Sequence, residues 1–205
     1  MMAGKFLSME GMDGAGKSTQ IQLLSQWLAE QGHRVVLCRD PGGTALSEEI
    51  RQILLSTSSP VDMRTEMLLY MAARAQLVAE IIKPAIDRGD VVICDRFLLS
   101  TVVYQGHAGG LDPAMIWRVG LEGTGGISPD WTGVLDLPPE ESAKRRTGPA
   151  DRIEQRSLDY YSKVRAGYLA EANRHPGQIC RVDAMLSPAE VQDIIRREVL
   201  CALER

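Results

Sequence analysis

Apolar positions along this chain follow two rhythms, short continuous runs and longer stretches with three-to-four-residue spacing. The runs at 5–9, 34–38, 90–94, 132–137 and 178–183 predict strands. Asp90-Val91-Val92-Ile93-Cys94 shows no in–out alternation, which predicts a central strand buried on both faces. The spaced stretches at 18–31, 45–55, 63–86, 97–105, 113–121 and 188–203 predict helices, with a helix start over 138–146. In the first of these Ile21, Leu24 and Leu28 share one face and Gly32 supplies the stop. Pro84 is expected to perturb the last turn of 63–86, and Gly106 to end 97–105. Strands and helices alternate without a repeat or a linker, so residues 1–205 are expected to form one α/β domain. Its core would be a five-stranded parallel sheet with helices on both faces. Ligands in such sheets bind at the carboxyl ends of the strands, so residues just after each run carry the functional information.

After the first run comes Gly11-Met12-Asp13-Gly14-Ala15-Gly16-Lys17-Ser18, followed by Thr19. This fits G-x-x-x-x-G-K-[ST] between a strand and a helix, the context of a phosphate-binding P-loop. The glycines let backbone N–H groups approach phosphate oxygens, and the following helix points its positive end at the same anion. Lys17 adds a mobile charge, and Ser18 offers a hydroxyl to Mg²⁺. After the third run, Asp95 could hold Mg²⁺ through its waters and Arg96 could grip phosphate with a planar fork. A local surface ion pair would use the same two residues.

Tyr70 and Arg74 lie four apart on one helix face, among Met71, Leu77 and Val78. A cation on an apolar stripe needs a partner from elsewhere in the chain or from a ligand. Thr101, Tyr104 and Gln105 follow Asp95-Arg96 and could read a base edge and a sugar. The run 144–152, Lys-Arg-Arg-Thr-Gly-Pro-Ala-Asp-Arg, reads as a basic hinged lid over phosphates. Asp151, with Glu154 three residues on, is expected to cap a new helix there. No Ser-His-Asp or Cys-His set is apparent. Transfer onto a phosphate needs none, because the acceptor is already mostly ionised near neutrality.

Composition narrows the picture further. A formal net charge of −4 argues against a broad nucleic-acid surface. No apolar run approaches a membrane span and no leader opens the chain, so a cytoplasmic location is expected. Cys38, Cys94, Cys180 and Cys201 form no C-x-x-C pair and read as reduced thiols.

Taken together, these motifs resemble the thymidylate kinase family, P-loop NTPase-fold enzymes that phosphorylate dTMP with ATP. The resemblance spans nearly the whole chain and rests on Glu10 through Thr19, Arg39-Asp40-Pro41-Gly42-Gly43-Thr44, Ala72-Ala73-Arg74, Asp95-Arg96-Phe97, Tyr104-Gln105-Gly106 and Asp151-Arg152-Ile153-Glu154. It implies that Gly11, Met12, Asp13, Gly14, Ala15, Gly16, Lys17, Ser18 and Thr19 hold ATP, with Mg²⁺ on Ser18 and Asp95. It implies that Arg39 and Arg96 hold the dTMP phosphate, with Asp13 beside it. Tyr70 would stack on thymine, Arg74 reach its carbonyl edge, Thr101 and Gln105 touch the base, and Tyr104 lie under the deoxyribose. Arg145 or Arg146, then Arg152, would clamp the transferring phosphoryl group. A homodimer is also implied. Asp40 stands where the family usually has Glu, and Tyr70 where it usually has Phe. A kinase for another pyrimidine monophosphate, or a nucleotide-binding switch without turnover, would share much of this pattern.

Overall fold

β1 (Lys5–Gly11) runs through the middle of a five-stranded, all-parallel sheet. The other strands are β2 (Val35–Arg39), β3 (Val91–Asp95), β4 (Trp131–Asp136) and β5 (Ile179–Asp183), in the spatial order β2-β3-β1-β4-β5. The computed structural model describes residues 4–56, 58, 60–145 and 151–204. Met9 pairs with Asp95 on one side and Gly133 on the other, so the ends of β1, β3 and β4 lie together. That common edge carries the site.

Two helical layers bury the sheet. On one face Leu7 and Met9 meet Leu24 and Leu28 of α1 (Lys17–Glu30) and Ile195 and Val199 of α9 (Pro188–Leu203). Fully burying each such side chain contributes about 1.5–3 kcal/mol. On the other face Phe6 packs with Met67, Met71 and Leu77 of α3 (Met63–Leu77), Leu98 of α5 (Leu98–Thr101) and Ile116 of α6 (Pro113–Gly123). The remaining helices are α2 (Ala45–Leu55), α4 (Lys83–Asp87), α7 (Pro139–Arg145) and α8 (Leu158–Arg174). Among the described residues no helix is long and apolar enough to cross a membrane.

Three local expectations change. The helix read over 63–86 is broken by a π-helical turn at Val78–Ile82. Pro84 has no N–H and crowds the carbonyl one turn back, and the widened turn before it makes room. Gly106 does not end its helix, because α5 runs on into a π-helical segment, Val102–Ala108, that contains it. A Cβ on Gly106 would sit 3.2 Å from Ile116 Cδ1, so this glycine permits the close approach of α6. Asp151 caps a single turn rather than a helix. Its Oδ1 accepts from the Ile153 and Glu154 N–H groups at 2.8 and 2.9 Å, while α8 begins only at Leu158 behind Ser157.

Candidate functional site

At the end of β1 the chain turns through a glycine loop into α1. Gly14 and Gly16 have φ of 78° and 93°, a region that favours glycine. A Cβ on Gly16 would meet nothing within 4 Å, so the loop is open on that side. α1 has no side-chain cap and no acidic residue in its first turn. Its leading N–H groups are therefore available to an anion. Lys17 Nζ donates to the carbonyls of Gly11 and Met12 at 3.1 and 3.0 Å and lies 3.7 Å from Asp13. Burial pulls its pKa below the ordinary lysine value, and neighbouring Arg96 adds to that. Ser142 Oγ donates to the Asp13 carbonyl at 2.7 Å and braces the loop from α7.

Arg96 follows β3 in a left-handed conformation, φ 67°, with its N–H bonded to the Met9 carbonyl at 2.9 Å. Its Nη2 donates to Asp13 Oδ1 at 2.7 Å and its Nη1 to Ser100 Oγ at 3.1 Å. Beneath this pair lies Glu10, with no exposed surface. Glu10 accepts from Phe97 N at 2.8 Å, Ser100 Oγ at 2.5 Å and Tyr168 OH at 3.1 Å. Desolvation raises its pKa against the opposing effects of Ser100 and Arg96. Arg96 is thus fixed from two sides with its fork at the loop. The neighbouring Asp95 has a buried oxygen, Oδ1, without a hydrogen-bond partner. With the exposed Ser18 hydroxyl in the first turn of α1, it supplies hard oxygen ligands of the kind Mg²⁺ takes.

Beyond Arg96 a cleft of about 90 Å³ opens between α2, α3 and the π-helical segment Val102–Ala108. Arg74 is 1% exposed in its wall. Its Nε donates to Asp40 at 2.5 Å, and its Nη2 to Thr101 Oγ1 at 2.8 Å and the Phe97 carbonyl at 3.3 Å. Gln105 also lines the cleft and donates its Nε2 to Glu66 at 2.6 Å. Tyr70 and Tyr104 contribute rings, and burial pushes both phenols above their ordinary pKa. The Tyr104 hydroxyl is buried without a hydrogen-bond partner. A glycine loop, a fixed arginine and a cleft lined by polar side chains therefore share one edge of the sheet.

A family model described as thymidylate kinase matches residues 9–195. The chain belongs to the thymidylate kinase family. It is 49% identical over 202 residues to a thymidylate kinase of Symbiobacterium thermophilum, covering 98% of this chain and 94% of that one. A thymidylate kinase of Thermoanaerobacter sp. is 45% identical over 196 residues, covering 95% and 97%. The crystal structure of thymidylate kinase from Ehrlichia chaffeensis superposes with a TM-score of 0.79 at 30% identity, covering 96% of this chain and 99% of that one. The resemblance read from the motifs and the P-loop NTPase architecture both hold.

Within this thymidylate kinase architecture, the cleft gathers Asp13, Tyr70, Arg74, Arg96, Thr101, Tyr104 and Gln105. Arg39 lies elsewhere. It is half exposed, donates to both carboxylate oxygens of Glu48 at 2.9 and 2.8 Å, and is absent from the cleft lining. Arg51 of α2 takes its place in the wall, with Nη1 on the Pro41 carbonyl at 3.0 Å. Arg145 donates to the Ala184 carbonyl at 3.1 Å beside the glycine loop. Arg146 lies outside the described residues. Arg152 is tied to Glu66 at 2.6 Å and to the Leu54 carbonyl at 2.8 Å in the cleft wall, with its Nη2 buried and without a hydrogen-bond partner. Arg51, Glu66 and Glu10 were not singled out as site residues by the sequence. Only Glu10 had a signal, its position next to the glycine motif.

Proposed function

We propose that this protein transfers the γ-phosphoryl group of ATP to dTMP, giving dTDP and ADP in dTTP synthesis. The observation that carries the reading is the joining of the glycine loop to the Arg74–Gln105 cleft through Arg96 and Asp13. ATP phosphates would lie on the N–H groups of the loop and α1, with Lys17 turning from the loop carbonyls to the outer phosphates. Mg²⁺, when bound on Ser18 and Asp95, supplies charge neutralisation between donor phosphates; two protein oxygens suffice because this ion keeps several waters and phosphate ligands. The acceptor phosphate would meet Arg96 and Arg51. Catalysis here is alignment and charge stabilisation, which fits a site with fixed cations and no separate base. Arg74 offers donors to a carbonyl of the base, and Tyr70 a stacking face.

An ADP-release assay with Mg-ATP and dTMP, dUMP, dCMP, UMP, AMP and GMP tests this. Turnover with dTMP well above all others is the expected result, and the weakest margin should be against dUMP, where one methyl group gives about 10–200-fold. Preference for a different monophosphate would overturn the base-pocket reading. The arginine reassignment has its own check. Arg51→Ala should lower kcat/KM for dTMP by ~10–100-fold, mostly through KM, the scale of a truncated charge-assisted hydrogen bond. Arg39→Ala should stay within ~3-fold, as an exposed ion pair contributes little.

A cytoplasmic homodimer is the proposed state. Leu46 and Ile53 of α2 and Leu68 of α3 are exposed on the helices that wall the cleft, which supports a second copy packing there.

A further inference from the structure

The Glu66 carboxylate is completely buried beside the cleft. It sits in the first turn of α3, where an acidic residue ordinarily faces water. Three donors from two other segments converge on it. Gln105 Nε2 reaches Oε1 at 2.6 Å, Arg152 Nη1 reaches Oε2 at 2.6 Å, and Arg156 Nη2 lies 3.2 and 3.1 Å from the two oxygens. Arg156 also stacks on Tyr160, 4.5 Å from the ring centre. Arg152 continues to the end of α2 through the Leu54 carbonyl, and Tyr160 OH donates to the Tyr104 carbonyl at 2.7 Å.

The geometry assigns Glu66 as a positioning residue that determines base specificity by fixing which end of the Gln105 amide faces the cleft. An amide presents either a carbonyl acceptor or an NH₂ donor, and the two are nearly the same shape. An ionised carboxylate only accepts, so Glu66 takes the NH₂ group and leaves the Gln105 carbonyl for the ligand. A carbonyl there accepts from the ring N–H of thymine or uracil. The matching nitrogen of cytosine carries no hydrogen and is itself an acceptor, so two acceptors would face each other. Arg152 and Arg156 pair with the Glu66 carboxylate and tie this orientation to the 151–157 turn that lines the cleft. The inference rests on the proposed dTMP reading and adds the reason that Gln105 discriminates.

The test measures kcat/KM for dTMP and dCMP in the wild type, Glu66→Gln and the exchanged double variant Glu66→Gln/Gln105→Glu. In Glu66→Gln the neighbour can donate as well as accept, so the Gln105 amide is free to turn its NH₂ toward the cleft. The dTMP/dCMP ratio should fall at least ~10-fold, with the KM for ATP within ~3-fold. In the double variant the NH₂ of residue 66 donates to a carboxylate at 105, whose other oxygen again faces the cleft as an acceptor. The exchange also returns one negative charge to the pair. Recovery of the ratio to within ~3-fold of wild type is expected. A ratio that stays within ~2-fold in Glu66→Gln, or that remains low in the exchanged variant, would overturn the assignment. If Glu66→Gln does not fold, the exchanged variant decides alone: retained preference supports the assignment and lost preference overturns it. A wild type without preference for dTMP over dCMP would instead overturn the dTMP reading itself.

Discussion

Arg96→Ala is expected to lower kcat/KM for dTMP by at least ~100-fold while ATP affinity changes by no more than ~3-fold. The magnitude is that of removing one preorganised group from charge developing in a transition state. Arg96 merits it because its position is determined before any ligand arrives. Asp13 holds one nitrogen at 2.7 Å, and Glu10, acting through Ser100, holds the other side. A mobile cation would have to be ordered during each turnover, whereas this one is not. The loss should fall on both kcat and kcat/KM, because the group serves the transferring phosphate as well as the acceptor. Steady-state kinetics with ATP titrated separately is the measurement. A rate within ~3-fold of wild type would remove Arg96 from the chemistry.

Arg74→Ala should be the most destabilising single change in the cleft. Arg74 and Asp40 are 1% and 0% exposed and meet at 2.5 Å. Asp40 Oδ1 already lacks a partner, so the truncation strands a buried carboxylate. Breaking one side of such a pair costs about 3–5 kcal/mol. For a chain of this size that corresponds to a fall in Tm of about 6–20 °C. The loss should depend on pH in a definite direction. Desolvation already raises the Asp40 pKa, and only Arg74, with a smaller contribution from Arg51, opposes it. Without Arg74 the folded state binds a proton more tightly than the unfolded state. The variant's deficit should therefore be smallest at acidic pH, where Asp40 is protonated in both folded proteins, and grow as pH rises through the already raised folded-state pKa of Asp40 in the wild type. Arg74→Ala/Asp40→Ala should recover much of the stability and none of the dTMP capture. Thermal melts across pH, paired with dTMP KM values, separate the two roles. A pH-independent deficit would show that Asp40 finds another partner.

The strands, the glycine loop and the sheet edge were legible because each leaves a local trace. Gly11 through Ser18 sits between an apolar run and a spaced helix, and those few residues are enough. Arg74 was legible in half. Its apolar neighbours announced that a partner had to come from elsewhere, but Asp40 is 34 residues away and no periodicity links them. Arg51 and Glu66 were illegible for a different reason. Each occupies an ordinary polar position of an amphipathic helix, and only the packing of α2 against α3 and the 151–157 turn makes them cleft residues. The π-helical turns leave no spacing signature, so a residue such as Gly106 could be read only as a stop. For Arg39 the motif points to phosphate, while Glu48 nine residues later offers it a surface partner that no motif announces.

The left-handed backbone at Arg96 sets two kinds of selection against each other. A non-glycine residue in that conformation costs about 1–2 kcal/mol, which glycine avoids. Arg96→Gly should consequently be more stable than Arg96→Ala by about 1 kcal/mol while remaining just as inactive. A library screened for heat resistance alone would, among variants that have lost Arg96, enrich glycine over alanine and retain well-folded, silent proteins. Thermostabilisation of this enzyme therefore has to be carried out with a turnover readout at every round, or with position 96 held constant.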